Sequence, residues 1–440
     1  MYFSSGPMPV HKPIRRAMTG MARSCHYFAI ILAALAAAPV FAQPQIPLTL
    51  AEAEDRALLE EPGQQALIAR ATALSDRSVV AGELPDPMLR VGLNNFPIQS
   101  GGFTTEGMTN AAVAFRQAFP AGDSRKISTR RYERLAGEMQ QQAEARGRNI
   151  LTATREAWLE LFYWQQAHEL VLTSRPFFDD LATVTRSLYA VGRKSQQDVL
   201  RAELELSRLD DRVIDIERQK SRAEAALSKW IGGQASRPIA NKLPRWQQVP
   251  ELQSLQSALL QHPLMLAADA QIEARAADIE LANERSKPSW ALDVGYSYRD
   301  GSLPTGEPRS DFITVGVTVG LPGFRKKSVD GNLSAALQER SAARLDREQT
   351  LRALSSQLES EYSRWHDLTR RLSLYETRIL NQANGNAEAS LLAYQSDRSD
   401  FANVMLAYID NLNTRTEHIR LQVERAQSYA VLANLGGIPR

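Results

Sequence analysis

Two stretches of the chain alternate large apolar residues with small or weakly polar ones. In the later stretch, 290–321, every second residue from Trp290 to Tyr298 and from Ile313 to Leu321 is apolar. A period of two is typical of β-strands with two different faces. The second face is small and weakly polar where a water-facing surface would be richly charged, which suits a strand between lipid and a polar lumen. For one such hairpin alone, packing on a soluble core is an equal alternative.

A second hairpin of the same kind occurs earlier in the chain, at 88–119. Its first strand alternates through Leu89, Val91 and Leu93, and a loop rich in Gly and Thr precedes its second strand. Because the pattern occurs twice, we predict that the large apolar side chains of both hairpins face lipid. These residues are Leu89, Val91, Leu93, Val113, Phe115, Trp290, Leu292, Val294, Tyr296, Ile313, Val315, Val317 and Val319.

Long helical segments flank the hairpins. Residues 125–188 contain no strand pattern and predict one long helix, and a turn at 189–194 leads to a return helix at 195–231. In the return helix, the mainly apolar positions from Val199 to Trp230 step by three and four residues in strict alternation. This spacing is typical of a coiled coil.

The two halves of the chain follow one plan. Gly232 matches Gly436 at an offset of 204 residues, and Pro85 matches Pro288 at an offset of 203. A repeat of about 200 residues is too long for a solenoid unit, so the sequence predicts a duplicated half-protein. The first repeat is 43–250, with a helix before its hairpin. The second repeat, 251–440, has a helix, the hairpin 290–321, a long helix from 327 and a last helix at 400–435.

Residues 1–42 have the features of a secretory signal peptide. A basic segment precedes an apolar run, which ends at Ala42 with a small residue suited to cleavage. Without these residues, 48 basic residues stand against 50 acidic ones and no cysteine is left. This near-neutral balance argues against a nucleic-acid partner, which would require a basic patch. No later segment has ~18 consecutive apolar residues, so we expect any membrane span to be made of strands.

No set of residues for catalysis, cofactor binding or metal binding stands out in the sequence. The HExxH, GxSxG, Walker and GxGxxG motifs are absent, and no histidine is close to another in the sequence. We therefore expect no enzymatic activity, no cofactor and no metal site. The histidines of the mature chain are expected on helix surfaces or at helix interfaces. The six histidines are His11, His26, His168, His262, His366 and His418.

Four strands are too few to close a membrane barrel, since about eight are the minimum, and lipid does not tolerate open sheet edges. Other copies of the chain must therefore complete the sheet. This combination resembles the TolC family of outer-membrane efflux channels over essentially the whole mature chain, nearest to its heavy-metal, CzcC-type branch. The features that carry the resemblance are the duplication, LPDPMLRVGLNNFP at 84–97, the strand ends at Phe119 and Leu321, and the turn within 189–206.

The resemblance implies a mainly α fold with a membrane β-barrel. Each of three copies would contribute four strands to a twelve-stranded barrel, and its long coiled-coil helices to a tunnel. The implied location is the outer membrane of a Gram-negative bacterium, with extension into the periplasm. The implied partners are a periplasmic adaptor protein and an inner-membrane pump of the RND type.

The function implied by the resemblance is passive export from the periplasm, with metal cations as the expected substrate. Two alternatives stay open. One is a drug-efflux or type I secretion duct. The other belongs to a different class and is a periplasmic coiled-coil scaffold or adaptor.

The helix turns are the candidate functional positions. Tyr189, Gly192 and Tyr394 are expected at tips that face the adaptor. The resemblance implies an acidic ring at the periplasmic entrance, although Asn403 and Leu406 stand where family members carry Asp. For Asp198 and Asp400 the alternative role is a plain helix cap. The candidate residues of the entrance or gate are Asp198, Asp397, Asp400 and Asn403.

Overall fold

The structure is a computed structural model that describes residues 47–246, 248–322, 326–396 and 398–438. The predicted signal peptide at 1–42 and the candidate gate residue Asp397 lie outside these residues. Within them, the chain is mainly helical and has one four-stranded antiparallel sheet. The predicted fold class, long helices together with four strands per chain, is confirmed.

The first half of the chain has two helices, a hairpin, a long helix and a return helix. Its elements are α1 (Leu50–Glu60), α2 (Pro62–Gly82), β1 (Met88–Asn94), β2 (Asn110–Phe119), α3 (Ser124–Ala190) and α4 (Gln196–Ile231). Helix α1 begins where the Thr49 hydroxyl accepts a hydrogen bond from the Glu52 backbone N–H at 3.2 Å. Helix α2 begins with Pro62, because the first helical position needs no N–H donor.

The second half repeats this order with one difference in its long helix. Its elements are α5 (Leu252–Leu259), α6 (Pro263–Glu284), β3 (Trp290–Tyr298), β4 (Phe312–Val319), α7 (Lys326–Leu374), α8 (Leu380–Gln395) and α9 (Phe401–Gly436). A π-helical segment, Tyr375–Ile379, joins α7 to α8, whereas α3 is one continuous helix with Pro176 inside it. None of the described helices combines the length and the hydropathy needed to cross a membrane.

Helix α3 is the centre of the packing. It contacts α2 and α4 of its own half and α6 and α9 of the other half. Helix α4 buries Ala202, Leu209, Ile216 and Ala223, which are spaced seven residues apart. One buried residue per heptad is the pattern of a coiled coil, so α4 packs with the spacing that its sequence predicts.

The sheet joins the two halves of the chain. Its strand order is β1-β2-β3-β4, and all neighbours are antiparallel. Strands β2 and β3 come from different halves and pair in the middle of the sheet, which leaves β1 and β4 as the two edges. The loops of both hairpins therefore lie at the same end of the strands, and the chain enters the helices at the opposite end.

Candidate channel wall and helical tips

The register of the four strands decides which side chains share a face. Val91 lies opposite Val113, and Val113 lies opposite Tyr296. Tyr296 in turn lies opposite Ile313. By the same alternation, the thirteen residues predicted to face lipid all lie on one face of the sheet. Most of them are exposed, with Ile313 at 76%. A continuous exposed face of large apolar side chains is typical of a membrane or protein contact.

The opposite face of the sheet is built mainly from Gly, Ala, Ser and Thr. The Nε atom of Arg116 lies 3.7 Å from Oδ1 of Asp293. The Thr318 hydroxyl donates a hydrogen bond to Oδ2 of Asp293 at 2.9 Å. Arg90 is exposed on this face, and within the described ranges no carboxylate pairs with it. Small side chains with a few polar groups are what a water-filled lumen requires.

Two arginines tie the loops of the two hairpins together. Nη1 of Arg299 donates to the Gly107 carbonyl at 3.2 Å. Nη1 of Arg309 donates to the carbonyls of Thr104 and Glu106, at 3.3 Å each. The sequence could not reveal these bonds, because the partners are 192 to 205 residues apart and the acceptors are backbone atoms.

The first helical tip is the turn between α3 and α4. Gly192 has a φ of 73°, which favours glycine, and its N–H donates to the Tyr189 carbonyl at 2.9 Å. Helix α4 then begins with a capping box, in which the side chains of Ser195 and Asp198 each accept the backbone N–H of the other residue. Asp198 is therefore engaged as a helix cap, which is the alternative role that the sequence left open.

The second helical tip, between α8 and α9, has no capping box. Asp400 occupies the N-cap position, but its side chain makes no capping hydrogen bond. The Asn403 backbone N–H donates instead to the Asp400 backbone carbonyl at 3.1 Å. The Asn403 side-chain amide donates to the Ser399 hydroxyl at 3.3 Å. Asp400 and Asn403 thus lie together within one helical turn.

Tyr394 connects the two tips. The Lys194 ammonium of the first tip lies 4.7 Å from the centre of the Tyr394 ring, and the ring packs edge-to-face on Phe401 at 5.8 Å. Tyr394 is only 5% exposed. It therefore holds the tips together, and it does not offer its side chain to an adaptor as predicted. Tyr189 differs, because 46% of it is exposed at the first tip.

Two ion pairs hold the junction between α1 and α2 against α3. Nε of Arg155 lies 2.6 Å from Oε1 of Glu54, and both side chains are 7% exposed. Further along the chain, Glu61 caps α2 by accepting the Gln64 backbone N–H at 2.8 Å, and it also pairs with Arg146. The hydrogen bond from Arg146 holds the pKa of Glu61 below its usual value, since it favours the ionised carboxylate.

The equivalent junction of the second half, between α5 and α6, has an apolar residue where the first junction has a buried ion pair. At the offset of 201 residues that relates Pro62 to Pro263, Leu255 stands in the place of Glu54. Leu255 is buried in a hydrophobic cluster that includes Leu358. The same offset places His262 where the first half has Glu61.

His262 caps α6 from a buried position. It is 2% exposed, and its Nδ1 accepts the Leu264 backbone N–H at 3.2 Å. Burial lowers the pKa of His262, and the nearby Arg148 lowers it further. The sequence predicted histidines at helix surfaces or interfaces and missed this capping role. Among the residues that the structure describes, no group of three or more His, Cys, Asp or Glu is placed to hold a metal ion.

Comparison with known proteins finds similarity in sequence and in structure. Residues 254–437 match the model of the outer membrane efflux protein family. Protein CyaE of Bordetella pertussis is 26% identical over 411 residues, which cover 89% of this chain and 85% of that protein.

Solved structures share the fold over most of the chain. The outer membrane protein VceC of Vibrio cholerae is 17% identical, with a TM-score of 0.73 over 88% of this chain and 96% of that one. CusC, solved in a study of transmembrane channel formation, is 14% identical, with a TM-score of 0.72 over 89% of this chain and 93% of that one. The second half of the chain is therefore similar in sequence to the outer membrane efflux protein family, and most of the chain shares the fold of these solved outer-membrane proteins.

Proposed function

We propose that the chain is the outer-membrane duct of a tripartite efflux system and works as a homotrimer. The observation that supports this is the sheet: thirteen apolar residues share one exposed face, and both edge strands are open. Lipid does not tolerate open edges, so β4 of one copy would pair with β1 of the next. Three copies would give twelve strands, enough to leave a lumen, with the apolar face toward lipid.

The helical tips are the proposed contact with a periplasmic adaptor protein. The exposed Tyr189 and the turn at Gly192 are the surface offered at the first tip. Tyr394 contacts the first tip through Lys194. The adaptor would in turn connect the duct to an inner-membrane pump, for which the RND type is the expected partner.

The second tip is the proposed gate at the periplasmic entrance. The Asp400 side chain makes no capping hydrogen bond, and the Asn403 side chain bonds the Ser399 hydroxyl. Asp198, in contrast, is held in its capping box. Each exposed polar link between neighbouring copies would contribute about 0 to 1 kcal/mol, which a partner could release. Replacing Asp397, Asp400 and Asn403 together with Ala should raise single-channel conductance in planar bilayers and leave the trimer intact. Unchanged conductance of an intact trimer would exclude this gate.

Metal cations are the substrate that we propose from the resemblance to the heavy-metal branch of the family. A drug-efflux duct and a type I secretion duct use the same architecture. The site that selects the substrate of a tripartite pump is expected in the inner-membrane partner.

The proposed function is tested by location and assembly. The mature protein should be recovered from outer membranes and should run as a heat-modifiable trimer in detergent. A detergent-solubilised particle with the mass of one chain would overturn the trimer. Recovery in the soluble periplasmic fraction would support the scaffold or adaptor class instead.

A further inference from the structure

The face of the sheet opposite the apolar residues carries an unbalanced positive charge at one level. Residues that lie side by side across the four strands form rows, and the register defines these rows. The row of Arg90 continues through Ala114, Gly295 and Thr314. Arg90 is thus the single charged residue of its row, and the other three side chains are too small to shield it.

The neighbouring rows do not compensate for Arg90. On one side, the positive charge of Arg116 is balanced by Asp293 at 3.7 Å, so that row is neutral. On the other side, the row carries no charge. These two rows consist of Met88, Arg116, Asp293 and Gly316, and of Gly92, Ala112, Ser297 and Phe312.

A neighbouring copy of the chain also brings no counter-charge next to Arg90. Arg90 lies on the edge strand β1, which in the proposed trimer pairs with β4 of the next copy. Strand β4, with the sequence FITVGVTV, contains no charged residue. Whichever register joins the two copies, the strand beside Arg90 therefore has no carboxylate to pair with it.

We propose that the three Arg90 side chains form a positive ring, which makes the strand-lined part of the channel favour anions over cations. This inference rests on the proposed trimeric channel. Twelve strands about 4.8 Å apart and tilted by about 40° form a barrel with a backbone radius of roughly 12 Å, and the inward side chains make the lumen narrower. The Debye length is about 10 Å at 0.1 M salt, so the ring acts over most of this cross-section.

The expected size of the effect follows from Coulomb's law. Three unit charges at about 10 Å in water, screened over one Debye length, enrich anions about twofold and deplete cations about twofold. The ratio of anion to cation permeability should therefore be roughly fourfold higher than in the same channel without Arg90. The metal ions proposed as substrate would pass such a ring more readily in anionic complexes than as bare cations.

The experiment measures the reversal potential of single trimers in planar bilayers, between about 0.1 M and about 0.03 M KCl. Arg90→Ala should lower the ratio of chloride to potassium permeability roughly fourfold, and Arg90→Glu should lower it further. Arg90→Lys keeps the charge and should keep the wild-type ratio. Asp293→Asn removes the partner of Arg116 and should raise the ratio, in the opposite direction to Arg90→Ala.

The outcomes separate this inference from the proposed function. An intact Arg90→Ala trimer with the wild-type permeability ratio would overturn the ring and leave the proposed channel standing. Protein that forms no channel in bilayers, either as wild type or with Asp397, Asp400 and Asn403 replaced by Ala, would overturn the proposed function itself. Each variant is checked as a heat-modifiable trimer, so that a change in permeability is not confused with failed assembly.

Discussion

The two halves of the chain fix the same helix junction with different chemistry. In the first half, Glu54 and Glu61 pair with arginines of α3. In the second half, Leu255 lies in an apolar cluster and the buried His262 caps the helix. Both junctions share a break before a proline at the first helical position. The backbone break therefore sets the geometry, and the side chains need only be packed and hydrogen-bonded there.

The largest expected effect comes from breaking the charged junction. Arg155→Ala leaves Glu54 buried without its arginine and should destabilise the fold by about 3 to 5 kcal/mol. The double change Glu54→Leu with Arg155→Leu gives the first junction the chemistry of the second, and it should recover most of this loss. The measurement is the urea midpoint of the detergent-solubilised protein. Equal loss in the single and double variants would mean that the charged pair is required at this position.

The next effect tests whether both hairpins meet the same environment. Val91→Arg in the first half and Val315→Arg in the second should each impair assembly by about 2 to 4 kcal/mol near the bilayer midplane. Thr314→Arg is the matched control, because it places the same side chain on the opposite face, where water is expected. The yield of heat-modifiable trimer in outer membranes measures the effect. If Thr314→Arg assembles as poorly as Val315→Arg, the two faces are assigned wrongly.

An intermediate effect should appear as a difference in pH dependence between the junctions. The folded-state pKa of His262 is lowered, so the unfolded chain binds the proton more readily, and stability falls as the pH drops below about 6.5. The pKa of Glu61 is lowered from 4.5, so its contribution is lost only at more acidic pH. Urea midpoints at pH 7.5 and 5.5 test this, and His262→Gln should reduce the difference between them while Glu61→Gln should not. An unchanged difference in His262→Gln would show that other groups cause the pH dependence.

The smallest expected effect distinguishes the two tips. Asp198→Ala removes a capping-box partner and should loosen the start of α4 by about 1 kcal/mol. Asp400→Ala removes no capping hydrogen bond and should change stability by less than about 0.5 kcal/mol. Hydrogen exchange of the amides at each tip measures both changes. Comparable loosening in the two variants would mean that Asp400 also caps its helix.

Much of the fold could be predicted because its signals are local and repeated. The alternation around Val91 and Val315 fixes one face of each hairpin, and pairing in register then places the two faces on the same side. The capping box of Ser195 and Asp198 depends on residues three positions apart, so it is visible in the sequence. The lipid-facing, gate and adaptor roles stay predictions, because they depend on partners and on other copies of the chain.

The remaining features depend on contacts between distant parts of the chain. Tyr394 has the sequence context of an exposed turn residue, yet it is buried because Lys194 and Phe401 pack on its ring. His262 looks like any helix-surface histidine until α3 and α9 cover it. Arg309 binds backbone carbonyls, which every residue has. No local pattern distinguishes these positions, since the neighbour that decides each of them is supplied by the tertiary fold.

The π-helical segment has a consequence for helical phase in the second half. Before it, Leu358, Trp365 and Leu372 are buried at intervals of seven residues. After it, Ala387 and Tyr394 are again seven apart, but Ala387 follows Leu372 by fifteen residues, one more than two heptads. One extra residue would turn an ordinary α-helix by about 100° and rotate the later pair away from α9. The π-helical turn takes up this residue, so the buried seam that runs from Leu358 to Leu372 continues through Ala387 to Tyr394 at the tip.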